Sequence, residues 1–258
     1  MSLTGRIALV SGGSRGIGRA IALRLAADGA QVAVNYRRDE AAAQATCEAI
    51  KAVGGHARAY RASVDSLPEL ESMVRELLAD FGAVDILVSN AGIASRGKNV
   101  ADTDPAELER VVSTHAFGAF YLSQLLLPQM RGRPRGDIVV VSSTAARTPM
   151  PGGAPYMMAK AALEALAATL AVEEMRHGIH TNIVAPGLVR TDMGDRLARA
   201  LANVQDAAEL NSRSPYGRVC RPQDVADVVA YLVSDQAAYL NGQRIAVNGG
   251  GSALRELR

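Results

Sequence analysis

RIALVSGGSRGIGRAIALRLAADG, residues 6–29, carries three signals in succession. RIALV (6–10) is a short apolar run of strand-forming residues. SGGSRGIG (11–18) is a glycine-rich turn directly after it. Next, Ile17, Ala20, Ile21, Arg24 and Leu25 recur at helical spacing until Gly29 stops the helix. Glycines 12, 16 and 18 let the main chain turn sharply and approach a pyrophosphate, and the following helix presents free N–H groups and the positive end of its dipole. Ser14, Arg15 and Ile17 lie between those glycines. The spacing is G-x3-G-x-G rather than the G-x-G-x-x-G of the usual dinucleotide fingerprint. A glycine turn by itself serves conformation only; the strand before it and the helix after it add the phosphate reading.

The same rhythm continues outward. QVAVNY (31–36), HARAYRASV (56–64), VDILVSNAG (84–92), GDIVVVSS (136–143), IHTNIVAPG (179–187) and NGQRIAVNGG (241–250) read as further strands. Helix-period stretches separate them, including a long one over roughly 105–131 and another from about Pro155 to Arg176. Near-continuous apolar strands between helices are what a parallel sheet covered on both faces requires. The expected architecture is an open, doubly wound α/β sheet in one domain spanning 1–258, and 258 residues suit one large domain or two small ones. One interval departs from the rhythm: 188–221 is long, helical in pattern and placed after the C-terminal end of a strand, where ligands bind in such sheets. It reads as a substrate lid, with a solvated insertion as the plainer alternative.

Composition narrows the function. The chain is 48% apolar and carries a formal charge of +2, so no field of one sign points to nucleic acid or to a membrane surface. No apolar run reaches membrane-spanning length, and no signal-peptide pattern precedes Arg6. Cys47 and Cys220 stand apart as free thiols, which fits a reducing, cytoplasmic setting. The four histidines have no cysteine or carboxylate at metal-ligand spacing, so no metal is expected. Arg131, Arg133 and Arg135 make a short basic loop, read either as a solvated turn or as a docking patch for an acidic carrier or acyl group.

Two further features concern chemistry. At the end of the second strand stand Tyr36, Arg37 and Arg38, with no carboxylate before Asp39. An acid there would bind a ribose 2′-hydroxyl; arginines, with Arg15 in the glycine loop, suit a 2′-phosphate and hence NADP. Tyr156 and Lys160 are four apart on a helix and share a face. A tyrosine with a pKa of about 10 becomes a usable acid/base when an ammonium favours its phenolate. Ser143, thirteen positions upstream of Tyr156, ends the fifth strand and is placed to donate to a carbonyl oxygen. Its neighbour Ser142 is expected to point the other way.

SGGSRGIG (11–18), SNAG (89–92), Ser143, YMMAK (156–160) and APGLVRTDM (185–193), in this order and spacing, resemble the short-chain dehydrogenase/reductase family over nearly the whole chain. The C-terminal stretch resembles the 3-oxoacyl-(acyl carrier protein) reductase-like branch. The resemblance implies a single Rossmann-like domain with a seven-stranded parallel sheet, a homotetramer, and hydride transfer between NADP(H) and a ketone or secondary alcohol. The substrate would be a small carbonyl or alcohol, with a carrier- or CoA-linked 3-oxoacyl thioester as one form. By the same resemblance Tyr156 exchanges the proton, Lys160 holds the nicotinamide ribose and Ser143 positions the substrate oxygen. Asn90, Ala91 and Gly92 would line the adenosine side, and Pro186, Gly187, Val189 and Thr191 the nicotinamide. The acid of NAD-preferring members would align with Tyr36. Ser11 stands where threonine is common, Ser63, followed by Val64, where an aspartate contacts adenine, Cys220 where glycine is usual, and His115 where an asparagine holds a relay water. Histidine titrates near neutrality, so a retained relay with altered pH dependence is expected, against a residue that only packs. The alternatives are a non-catalytic NADP-binding sensor or scaffold, a reductase of unrelated small ketones, or an enzyme without net redox such as an epimerase.

Overall fold

Seven strands among the described residues form one parallel sheet: β1 (Ile7–Val10), β2 (Gln31–Tyr36), β3 (Ala57–Arg61), β4 (Ile86–Ser89), β5 (Gly136–Val141), β6 (Ile179–Pro186) and β7 (Arg244–Val247). The computed structural model describes residues 2–214 and 216–250. The strand order is β3-β2-β1-β4-β5-β6-β7. The order reverses between β1 and β4, and this switch point opens the crevice where doubly wound sheets bind ligands.

The helices are α1 (Gly16–Ala27), α2 (Glu40–Lys51), α3 (Leu67–Phe81), α4 (Pro105–Val112), α5 (Gly118–Met130), α6 (Ala154–Glu173), α7 (Asp192–Ala202) and α8 (Pro222–Leu232). The period-2 alternation of each strand sorts its side chains between two cores. Ala8 and Val10 of β1 join Ile21, Leu25 and Val229 on one face, whereas Leu9 joins Leu70, Leu126 and Leu163 on the other. Both clusters are buried, and each fully buried large apolar side chain contributes about 1.5–3 kcal/mol relative to exposure.

The expected continuous helix over 105–131 is interrupted. Ser113–Phe117 forms a π-helical turn between α4 and α5, and it carries His115 at its centre. One extra residue in that turn rotates the helix, so His115 faces inward and is only 2% exposed. Segment 188–221 contains α7 and a 3-10 stretch, Ala207–Arg213, closed around its own small cluster of Leu188, Ala198, Ala207, Leu210 and Val219.

Candidate active site

The glycine loop is held from three directions. Gly12 N–H donates to Asn35 Oδ1 (3.2 Å), and Asn35 Nδ2 donates to the Ala62 carbonyl (3.0 Å), which ties the loop to β2 and β3. The Ser11 hydroxyl accepts from the N–H groups of Asn90 (2.9 Å) and Ala91 (3.0 Å), linking the loop to the end of β4. Asn90 Nδ2 in return donates to the carbonyls of Ser11 (2.9 Å) and Gly12 (3.2 Å). A Cβ on Gly18 would lie 2.2 Å from the Gly12 carbonyl oxygen, so only glycine lets α1 begin this close to the turn. No side chain caps the N-terminus of α1, and its first N–H groups face the cleft.

A cleft of about 830 Å³ opens at the C-terminal ends of the strands. Gly12, Ser14, Arg15, Gly16, Ile17 and Gly18 line one end, with Tyr36, Arg37, Arg38, Ser63 and Val64 beside them. Asn90, Ala91, Gly92, His115, Tyr156, Lys160 and Thr191 line the rest. Ser143 is half-buried beside Tyr156, its side chain hydrogen-bonding the phenol and its Oγ accepting from Ala145 N–H (3.1 Å). Pro186, Gly187 and Val189 precede the cleft-lining Arg190 and Thr191: Val189 is buried in a bridge to Cys220, and Gly187 backs onto Asn248. Asn35, Arg110, Thr114 and Arg196 line the cleft but were not apparent from the motifs, whereas Asp192 and Met193 of APGLVRTDM line it as well. Arg110 and Thr114 sit one helical turn apart just before His115, a spacing that marked a shared face without indicating which way it points.

At the reactive end, Lys160 Nζ donates to the Val141 carbonyl (2.6 Å) and stands 5.8 Å from the centre of the Tyr156 ring. Burial holds the Lys160 pKa down to about 7, against the opposing pull of Glu164. Burial also pushes the Tyr156 phenol above its ordinary value, with a hydrogen bond from Ser143 acting the other way. The expected lowering of the phenol is therefore outweighed by desolvation of its charged form. Tyr156 stays a proton donor, the form that carbonyl reduction uses.

His115 meets Tyr156 edge-to-face, ring centres 5.3 Å apart. Its Nε2 lies 2.8 Å from the Ile93 carbonyl and 3.1 Å from the Ile93 N–H, and its buried Nδ1 has no partner. A Cβ on Gly92 would lie 2.4 Å from His115 Cε1, so the ring occupies the space glycine leaves. Near-neutral titration does not hold. Burial first, and the Lys160 charge second, bring the His115 pKa down to about 3.

The basic loop is tied into the fold by ion pairs. Arg131 binds Glu174 through two contacts (2.6 and 2.8 Å), Arg133 binds Asp85 (2.6 Å), and Arg135 binds Asp137 (2.9 Å). Asp85 precedes β4 and Asp137 is the second residue of β5, so this network lies at the end of the sheet opposite the cleft. Ser142 points inward as expected, its Oγ donating to Glu164 (2.8 Å). The Cys220 thiol, half-buried, is pushed up to about 11 by burial, away from reactivity.

Residues 12–252 match the family described as enoyl-(acyl carrier protein) reductase. The chain belongs to the short-chain dehydrogenase/reductase family. It is 40% identical over 243 residues to the 3-oxoacyl-(acyl-carrier-protein) reductase FabG of Staphylococcus aureus strain Mu50, covering 94% of this chain and 96% of that one. A short-chain dehydrogenase of Burkholderia cenocepacia J2315, solved in complex with NADP, superposes with a TM-score of 0.87 at 34% identity, covering 98% and 99% of the two chains. A 7α-hydroxysteroid dehydrogenase, solved with NADH and a 7-oxo bile acid, superposes at 0.90 with 32% identity, covering 100% and 97%. As a FabG-like short-chain dehydrogenase/reductase, the protein is a nicotinamide-dependent oxidoreductase acting on carbonyl and alcohol groups.

Proposed function

We propose that the protein reduces ketones with NADPH, and that 3-oxoacyl thioesters are its first substrate class. The carrying observation is the convergence in one cleft of Tyr156, Lys160 and His115 with the arginines Arg15, Arg37 and Arg38. The residues present fit the cofactor. Uncapped N–H groups at the start of α1 suit a pyrophosphate, and the glycine cradle leaves no room for a Cβ at Gly18. Arg15, Arg37 and Arg38 suit a 2′-phosphate; Asp39 lines the same end of the cleft, and Asp65 stands 4.0 Å from Arg37. NADPH supplies the hydride when bound.

The chain's own residues do the rest. Ser143 and Tyr156 hold the substrate oxygen, and the raised phenol delivers its proton there as negative charge develops. Lys160, beside the phenol and anchored on Val141, holds the ribose and replaces the proton. His115 joins the relay as a neutral hydrogen-bonding group through its unpartnered Nδ1. Segment 188–221 contributes Arg190, Thr191, Asp192, Met193 and Arg196 to the cleft, which supports its role as a lid over the substrate. The exposed apolar side chains along α5 and α6 support a homotetramer. Among the described residues no helix is long and apolar enough to cross a membrane, and we place the enzyme in the cytoplasm.

The test is an NADPH-oxidation screen of 3-oxoacyl thioesters beside cyclic and aliphatic ketones. Tyr156→Phe is expected to lower kcat by about 10²–10⁴-fold, the usual share of general acid catalysis. Activity on ketones but on no thioester removes the acyl-reductase assignment in favour of a cyclic-ketone reductase, the class its hydroxysteroid dehydrogenase neighbour represents. Tighter binding of NADH than NADPH overturns the cofactor assignment.

A further inference from the structure

Glu164 lies one helical turn beyond Lys160 on α6 and is buried, with 8% exposure. Its Oε1 accepts from the Ser142 hydroxyl (2.8 Å) and from Arg244 Nε (2.8 Å). Its Oε2 accepts from Arg147 Nε (3.0 Å). Arg244 then reaches on, Nη2 donating to the Ser143 carbonyl (3.1 Å). One carboxylate therefore joins α6, the end of β5, the turn after Ser143 and β7.

Such a group is costly to bury. Desolvating a carboxylate costs several kcal/mol, and apolar packing would close this corner as well or better. Its position suggests what the charge does. Lys160 is faced by the Tyr156 phenol on its own helix, by neutral His115 from the π-helical turn and by the Val141 carbonyl from β5. Glu164 is the anion that acts on it among the described residues.

We infer that Glu164 is a positioning residue of the reaction centre: clamped by Ser142, Arg147 and Arg244, it supplies the negative charge behind the Lys160 ammonium and, through Arg244, fixes the main chain at Ser143. The inference rests on the reading of Ser143, Tyr156 and Lys160 as the reaction centre. Burial drives a lysine toward its neutral form, and a carboxylate four residues along the helix favours the charged form. Arg147 and Arg244 temper that carboxylate, so removing one of them strengthens its hold on Lys160, whereas removing Glu164 releases it.

The chain has three lysines, Lys51, Lys98 and Lys160, so lysine labelled with ¹³C at Cε yields three signals in the full-length protein. Lys160→Arg assigns the third. Its titration in the parent protein is expected near pH 7. Glu164→Gln is expected to move it to lower pH and Arg147→Gln to higher pH. Arg147 is 64% exposed, so its replacement spares the fold, which thermal melting checks. The fall in ketone-reduction rate with rising pH is expected to follow Lys160 in each variant. An unmoved Lys160 in Glu164→Gln, or shifts of one sign in both variants, overturns the inference. Opposite shifts without turnover of any carbonyl uphold the hold of Glu164 on Lys160 and sink the functional reading instead. If Glu164→Gln does not fold, Arg147→Gln decides alone, and an unmoved titration there overturns the proposal.

Discussion

His115 shows how far burial carries a residue from its solution chemistry. The ring is packed against Tyr156 and Gly92 near a buried ammonium, and it resists protonation down to about pH 3. An unfolded histidine protonates at about 6.5. Between those values the unfolded chain binds a proton that the fold refuses, so stability falls as pH falls through this window. Each unit of acid costs about 1.4 kcal/mol, which makes roughly 2 kcal/mol by pH 5. His115→Asn is expected to lose that much less stability between pH 7.5 and 5, measured by urea unfolding at both. Equal acid losses in the two proteins would falsify the buried, neutral histidine. Above pH 6 the same substitution is expected to leave the shape of the pH–rate profile unchanged, because the ring carries no charge to lose there.

Among the elements, the strand starts and the basic loop belong together. Asp137, second in β5, is 1% exposed, between Arg6 (2.6 Å) and Arg135 (2.9 Å). Breaking a buried pair leaves an under-compensated charge, which costs several kcal/mol even where the intact pair contributes little. Arg135→Ala is therefore expected to lower the unfolding free energy by about 3 kcal/mol. The KM for a 3-oxoacyl thioester should stay unchanged, because the cleft is at the other end of the sheet. A raised KM with unaltered stability would restore the carrier-docking role to this loop. The π-helical turn at 113–117 belongs to this scale too. The sequence there, STHAF, continues the helical pattern on both sides, and nothing in its periodicity announces an inserted residue.

For the whole molecule, the unsettled surface lies along α5 and α6. Phe117 and Phe120 are 49% and 48% exposed, and Val172 and Met175 are more so. Large apolar side chains left in water are the surface the proposed homotetramer would bury. If the tetramer forms through it, Phe120→Glu is expected to give smaller species in sedimentation equilibrium, with the fold retained by circular dichroism. A wild-type protein that sediments as a monomer rejects the tetramer.

The order of strands and helices, the glycine loop at the first turn and the pairing of Tyr156 with Lys160 are all written in the chain. They are local or periodic: a strand covered on both faces must be apolar throughout, a phosphate turn needs glycines in a short interval, and an i, i+4 pair shares a face wherever the helix goes. Three assignments depended on the tertiary structure. It set Tyr156 above and His115 far below their free values, tied Arg131, Arg133 and Arg135 into ion pairs, and brought Arg244 onto Glu164 across 80 residues of chain. Desolvation and partnership depend on what folds over a residue, and no local pattern records it.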